Sequence, residues 1–385
     1  MKILHFCLTG TISDGFAYQD NLLPKYHKQM GLDTTIVTSK WVWGSNGKMK
    51  MDERNEYTNE DGVKIIRLPM NGKENFSNRF KRFQNLDVTL ERVAPDIIFI
   101  HGCQFLDIDQ VVKYLKKHPD VKVFVDNHAD FSNSATNWIS KNILHKIIWR
   151  HCAHKIEPYT TKFYGVLPAR VDFLKNVYKL PTEKCELLVM GADDELVEKA
   201  KTSGARKRIR DEYGIAGDEI LVVTGGKINH YRPEVLDFIE ATISLENPKI
   251  KLLVFGNVSE EYKERFDQLC KNDKVIFVGW LKSADTYEYL EAADLVVFPG
   301  LHSVMWEQVV AQGKACVFRD IEGFHHVDVG GNALFVKDVS VEGFRKALSE
   351  LVDDKDKIKE MTSVAEEKGM IVFSYADIAR RSIQC

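Results

Sequence analysis

Two stretches of the chain carry side chains suited to binding an anion. "FPGLHSVMWEQVVAQGKACVF" (298–318) ends an apolar run at Phe298-Pro299-Gly300 and enters a helical pattern near Ser303. Ser303 is placed to cap that helix, which leaves the amides of Ser303, Val304 and Met305 for an anion. Glu307 follows one turn deeper, among Trp306, Val309 and Val310. A carboxylate so close to a bound anion is repulsive unless hydroxyl groups lie between them, so the pattern suits an anionic ligand that also carries a diol. A solvated helix acid is the plain alternative. In "VVTGGKINHYRPEVLDF" (222–238), Lys227 and Arg232 follow two glycines. Cations there can offset charge on a departing anion, and Gly226 lets backbone approach a ligand. Two exposed basic residues on a loop are the alternative.

Other groups are candidates for hydrogen bonding or for metal. "FVDNHADFSNSA" (124–135) ends a strand in Asp126, His128 and Asp130, and "IIFIHG" ends one in His101. For both histidines the alternative is a satisfied core residue. "TGTISDGFAYQDNLL" (9–23) sets Gly10 and Gly15 between the first strand and the first helix, with Tyr18 and Gln19 at the helix start. A glycine loop there can approach a phosphate or an acceptor, though turns need glycine too. "LDID" (106–109) offers Asp107 and Asp109 as a carboxylate pair, but these fit the start of the helix "IDQVVKYLKK" better. "HCAH" (151–154) has no second cluster at zinc-like spacing. No metal is expected.

The elements that must position these residues are short unalternating runs of Val, Ile, Leu and Phe, separated by helical patterns. In the first half they are 2–8, 34–39, 63–69, 96–102, 122–128 and 185–191; in the second, 219–226, 250–256, 274–280, 294–300, 315–320 and 332–337. Such runs fit strands buried on both faces of a parallel sheet. The alternation occurs twice, which predicts an α/β chain of two Rossmann-like, doubly wound domains facing a cleft. The expected boundaries are 1–197, 198–369 and a terminal helix, 370–385, crossing back to the first domain. Region 40–62 is polar and poorly periodic, a mobile loop or β-excursion.

With 385 residues the chain is long enough for two domains. A net charge of −3 gives no sign of nucleic acid as partner. No apolar run reaches the roughly 20 residues of a membrane span. The start lacks the marks of a signal peptide, and seven cysteines without a CxxC suit a reducing cytoplasm. "SKNILHKIIWRHCAHK" (140–155) mixes apolar and basic residues; it could touch anionic lipid, or it could be a core-packed helix with a solvated basic face.

The chain resembles the GT-B glycosyltransferases, and within them the large retaining class called family 4, over essentially its whole length. "GVLPARVDFLKNVYKLPTEKCELLVMGADDE" (165–195) is similar to the segment before that family's interdomain linker. "VIFVGWLKSADTYEYLEAADLVVFPG" (275–300) resembles its element beside the nucleotide pocket, and "FSYADIARRSI" (373–383) its terminal crossover helix. The resemblance implies a nucleotide-diphosphate sugar as donor, a sugar or lipid-linked glycan as acceptor, and no cofactor. It assigns Glu307 to the donor ribose, Lys227 and Arg232 to the pyrophosphate with the family's two residue types exchanged, and His128 to the transferred sugar. His101, Tyr18 and Gln19 fall on the acceptor side; Gly15, Gly226, Gly256 and Trp280 fall beside the donor. The sequence departs from the family where the helix begins. Its loop is shorter and the first of two family glutamates is absent, so His302 and the loop backbone take over the sugar contacts. A role in bacterial-type surface polysaccharide or glycoconjugate assembly is implied. The alternatives are a metal-dependent GT-A transferase built on Asp107 and Asp109, a GT-B UDP-sugar epimerase, a non-catalytic GT-B subunit, and a two-lobed solute-binding protein, which would carry an export signal.

Overall fold

The computed structural model describes residues 1–44, 48–71 and 80–384. They form two compact units, Met1–Val189 with Ile378–Cys385, and Met190–Asp377. The first division falls earlier than expected because residues after Val189 are already tied to the second unit. The Asp193 amide donates to the Tyr287 hydroxyl at 3.0 Å, and the Asp193 carboxylate caps the helix Asp194–Thr202. The expected helix 370–385 is two pieces, Met370–Val372 and Tyr375–Ser382. Between them, Phe373 and Ser374 bridge to Ala192, which holds 370–377 in the second unit.

The first unit is built on an eight-stranded sheet in the order β10-β9-β8-β7-β1-β2-β6-β5. The strands are β1 (Lys2–Cys7), β2 (Asp33–Ser39), β5 (Glu56–Thr58), β6 (Lys64–Leu68), β7 (Ile97–His101), β8 (Lys122–Asn127), β9 (Thr160–Gly165) and β10 (Cys185–Leu187). All neighbours run parallel except β5 and β6. β9 was not expected: "TTKFYG" has few aliphatic residues and two threonines beside a lysine. The described residues of the region 40–62 make a β-excursion, with β3 (Trp41–Trp43) and β4 (Met49–Met51) paired antiparallel. Counting β1, β2, β6, β7, β8 and β9 as one to six, the core order is 3-2-1-4-5-6, with the switch point between β1 and β7.

The second unit holds a six-stranded parallel sheet in the order β13-β12-β11-β14-β15-β16. These are β11 (Ile220–Ile228), β12 (Ile250–Val258), β13 (Val275–Phe277), β14 (Leu295–Phe298), β15 (Ala315–Arg319) and β16 (Ala333–Val336). The order is again 3-2-1-4-5-6, with its switch point between β11 and β14. Ligands of open α/β sheets bind beyond the strand C-termini at that point. In each unit the fold therefore marks one place, and the sequence candidates can be compared with it.

Candidate functional site

At the second unit's switch point the backbone is bare. Gly226 and Gly256 are register partners on β11 and β12, with φ of +119° and +135°. A Cβ on Gly256 would lie 1.8 Å from the Gly226 carbonyl oxygen, so only glycine fits. The Gly256 amide donates to the Gly279 carbonyl at 2.8 Å. β11 runs past the glycines to Ile228, which makes Lys227 an exposed strand-end residue instead of a loop residue. Arg232 is half-buried. Its stem lies against Gly300, where a Cβ would be 3.0 Å from the arginine Cγ, and its Nη2 is 3.5 Å from the His302 carbonyl. Burial lowers the Arg232 pKa, with Glu234 opposing. The structure thus gathers Gly226, Arg232, Gly300 and His302. Trp280, 64% exposed, follows β13.

The following helix corrects two expectations. It spans Met305–Ala311 and starts after Val304, whose backbone is already helical, so Ser303 provides no side-chain cap. The Ser303 carbonyl accepts from the Trp306 amide at 2.9 Å. The amides of Ser303 and Val304 find no acceptor among the described residues. Glu307 is fully buried instead of facing outward. Its Oε1 accepts from His302 Nε2 at 2.9 Å and from His326 Nε2 at 2.8 Å, and its Oε2 is 3.2 Å from His302 Nε2. Burial alone would raise its pKa. The two imidazoles outweigh burial and hold the carboxyl at about 2. Glu307 is therefore a clamp on two histidines, and the open ribose contact expected of it is not what the fold builds.

At the first unit's switch point the structure places a chain of histidines. His101 ends β7, buried, with Nδ1 2.8 Å from Asp126 Oδ2 and Nε2 3.0 Å from His5 Nδ1. His5 lies inside β1, and its Nε2 is 3.0 Å from His27 Nδ1. His27 Nε2 reaches the Ala379 carbonyl and the Ser382 hydroxyl, each at 3.0 Å. His128 Nε2 faces the other Asp126 oxygen at 3.3 Å, with the side chain 37% exposed. Burial depresses His5, helped by His27 and His101, and brings His27 to about 4 against the Ala379 hydrogen bond. For His101 burial acts the same way, but Asp126, Cys7 and Asp20 overcome it and raise the group well above its ordinary value. Burial would raise Asp126; His101 and His128 instead hold it far below the carboxylate range.

This corrects the acceptor-side set. His101 is a buried link, and Gln19 is buried with its Nε2 donating to Asp126 Oδ2 at 3.2 Å. Tyr18, 52% exposed, and His128 remain open to a ligand. The Gly15 amide donates to the Glu60 carboxylate, so an anion already occupies it. Sequence reasoning missed His5, His27, Asp20 and His326 and gave Asp126 no role. For His5 a signal existed: it interrupts the apolar run "KILHFC" of a doubly buried strand.

Among the described residues, two sets bring ligand-type atoms within 4.8 Å of one another: Asp20, His101 and His128, and His302, Glu307 and His326. Hydrogen bonds occupy both. His101 has no nitrogen left for a metal, and Glu307 is taken by the two imidazoles. Asp107 accepts from the Phe83 amide at 2.6 Å and Asp109 pairs with Lys155 at 2.7 Å, so "LDID" serves structure. In "HCAH", His154 Nε2 is bonded to the Tyr178 carbonyl at 2.8 Å.

Two Rossmann-like units, each with its polar cluster at the switch point, define a GT-B protein, and the solved structures agree. Sucrose-phosphate synthase from Thermosynechococcus elongatus matches with a TM-score of 0.69 at 15% identity, covering 99% of this chain and 96% of that one. WaaG, a glycosyltransferase involved in lipopolysaccharide biosynthesis, matches with a TM-score of 0.66 at 15% identity, over 98% of both chains. The UDP-GlcNAc 2-epimerase from Neisseria meningitidis, bound to UDP-GlcNAc, matches at 0.64 and 12% identity, over 100% and 99%. No curated protein sequence matches the chain. Residues 205–368, which lie within the second unit, match the family of glycosyl transferases group 1.

Proposed function

We propose that this protein is a retaining glycosyltransferase, moving a sugar from a nucleotide-diphosphate sugar to an acceptor hydroxyl without a metal ion. The observation that carries the proposal lies inside the segment matching the glycosyl transferases group 1. There Gly226, Arg232, Gly300 and His302 meet at the C-terminal ends of β11 and β14, with Lys227 next in the chain after Gly226. Bare backbone at Gly226 admits a diphosphate. Lys227 and Arg232 offset the charge it gains on leaving, with the free amides of Ser303 and Val304 beside it. In the same-face mechanism the acceptor hydroxyl attacks from the leaving-group side, and a donor phosphate oxygen takes its proton. Glu307 acts behind the site, fixing His302 and His326. On the first unit, His128 and Tyr18 are the groups open to the transferred sugar and the acceptor.

A role in surface polysaccharide or glycoconjugate assembly draws support from the likeness to WaaG, and a nucleotide-sugar donor from the epimerase's UDP-GlcNAc. We place the protein in the cytoplasm. No described helix is long and apolar enough to cross a membrane. A lipid-linked acceptor suits the stretch 140–155, where Ile143 and Ile147 are 38% and 62% exposed among Lys141, Lys146 and Arg150.

The test is a panel of nucleotide sugars, first by thermal shift and then with candidate acceptors in EDTA. Stabilisation by one donor, and release of its nucleotide diphosphate that depends on acceptor and survives EDTA, is the expected result. Activity restored only by manganese would overturn the metal-free mechanism. An epimerised sugar nucleotide formed without acceptor would make the protein an epimerase. Stabilisation with no turnover would make it a binding subunit.

A further inference from the structure

The histidine chain of the first unit can be counted proton by proton. Its four gaps are Ala379 O to His27 Nε2, His27 Nδ1 to His5 Nε2, His5 Nδ1 to His101 Nε2, and His101 Nδ1 to Asp126 Oδ2. They measure 3.0, 3.0, 3.0 and 2.8 Å, so each holds a hydrogen bond. Each bond needs one hydrogen. Both ends of the chain, a carbonyl and an ionised carboxylate, only accept. A neutral imidazole brings one N–H, so three neutral rings bring three hydrogens for four gaps. One gap would then set two lone pairs against each other in a dry interior. The Ser382 hydroxyl does not supply the fourth hydrogen. It donates to the Ala379 carbonyl at 2.9 Å, and turning it to His27 would leave the His27 lone pair facing that carbonyl.

We infer that His27, His5 and His101 form a relay holding one surplus proton, placed on His101 against Asp126, and that this proton holds the Asp126 carboxylate in place opposite His128. The direction follows from the ends: Nε2 carries the hydrogen on His27 and His5, and His101 carries one on each nitrogen. The groups facing the cation are the Asp126 carboxylate on β8, the Asp20 carboxylate at 3.4 Å from the helix Gln19–Gln29, and the Cys7 thiol on β1. His128 lies 3.3 Å from Asp126 and 3.8 Å from Asp20. With one Asp126 oxygen held by the His101 cation, the other is kept facing His128 Nε2. His5, His27 and His101 are positioning residues, since none touches a substrate. The value of this to sugar transfer rests on the role proposed above for His128; the proton count does not.

The test is imidazole nitrogen NMR on the full chain at pH 7.5. His101 should show both nitrogens protonated, and His5 and His27 only Nε2. His101 with one bare nitrogen overturns the relay. In His5→Leu the His101 Nε2 loses its acceptor, and a ring with its hydrogen on Nδ1 alone satisfies Asp126, so His101 should give up its Nε2 hydrogen at a lower pH than in wild type. His27→Gln offers an oxygen to His5 and an N–H to Ala379, so His101 should stay cationic. An unchanged His101 in His5→Leu, with the distant His145 signals intact as a check on folding, also overturns the relay. If that variant does not fold, wild type and His27→Gln still decide. NMR agreement without transfer activity would fault the proposed reaction and leave the relay standing; transfer without the NMR pattern would do the reverse.

Discussion

Glu307 is buried and ionised at once, and that combination is stable only because two imidazoles donate to it. In Glu307→Gln the amide oxygen can accept from one ring, but its NH₂ then faces the other donor. A loss of about 1–3 kcal/mol is expected at pH 7 in urea unfolding. The sign with pH follows from a folded pKa of about 2 against an ordinary 4.5. The stabilisation is present above 4.5 and is lost as pH falls through 2, so the gap between wild type and variant should narrow across that window. A gap independent of pH would mean that Glu307 is not ionised. Lys227 and Arg232 make a separate prediction. Replacing either by Ala should cost about 1.5–3 kcal/mol in binding a nucleotide diphosphate and little in binding the nucleoside. Calorimetry with both ligands checks this, and equal losses would place the cations elsewhere.

Among the elements, the β11–β12 pair depends on two facing glycines. Gly256→Ala sets a methyl 1.8 Å from the Gly226 carbonyl, at a φ of +135°. The strands must part beside the switch point, and a loss of at least about 2 kcal/mol is expected, with donor binding weakened too. A melting curve like that of wild type would show that the pair can relax. The stretch 140–155 makes the other prediction at this scale. His145, Trp149, Cys152 and Ile156 turn inward, while Ile143 and Ile147 stay out. Ile147→Glu should reduce co-sedimentation with anionic vesicles by about tenfold with no effect on melting, because burying an isoleucine is worth roughly 1.5–3 kcal/mol. Wild-type protein left in the supernatant would end the membrane reading.

For the whole molecule, the buried histidines set an acid limit. His27 is held neutral down to about 4, while the unfolded chain takes up a proton near the ordinary 6.5. The unfolded state binds more protons between those values, so stability is full above 6.5 and falls as pH drops toward 4. The His27 share is roughly 3 kcal/mol, to which the depressed His5 adds. His101 works in the opposite sense: its raised pKa gives stability that is present in acid and lost only in alkali. Unfolding measured from pH 7 to 4 should show the acid loss in wild type and a smaller one in His27→Gln, which keeps both hydrogen bonds without a titrating ring. Equal slopes would show that His27 does not titrate on unfolding.

The sequence by itself determined most of the strands and the class of fold. Runs such as "DIIFI" and "EILVVT" have one stable destination, the inside of a parallel sheet, and their alternation with helical stretches leaves few topologies. It also picked out Gly226, Lys227 and Arg232, because glycine beside cations at a strand end is a local pattern. Only the tertiary structure decided which polar side chains meet. His5, His27, His101 and Asp126 come from two strands, a helix and a further strand, and Ala379 from the far end of the chain; no window of sequence contains their hydrogen bonds. Glu307 was misread for the same reason. Helical spacing shows an acid near a helix start, but not that His302 and His326, brought in by the loops after β14 and β15, close over it and turn it into a clamp.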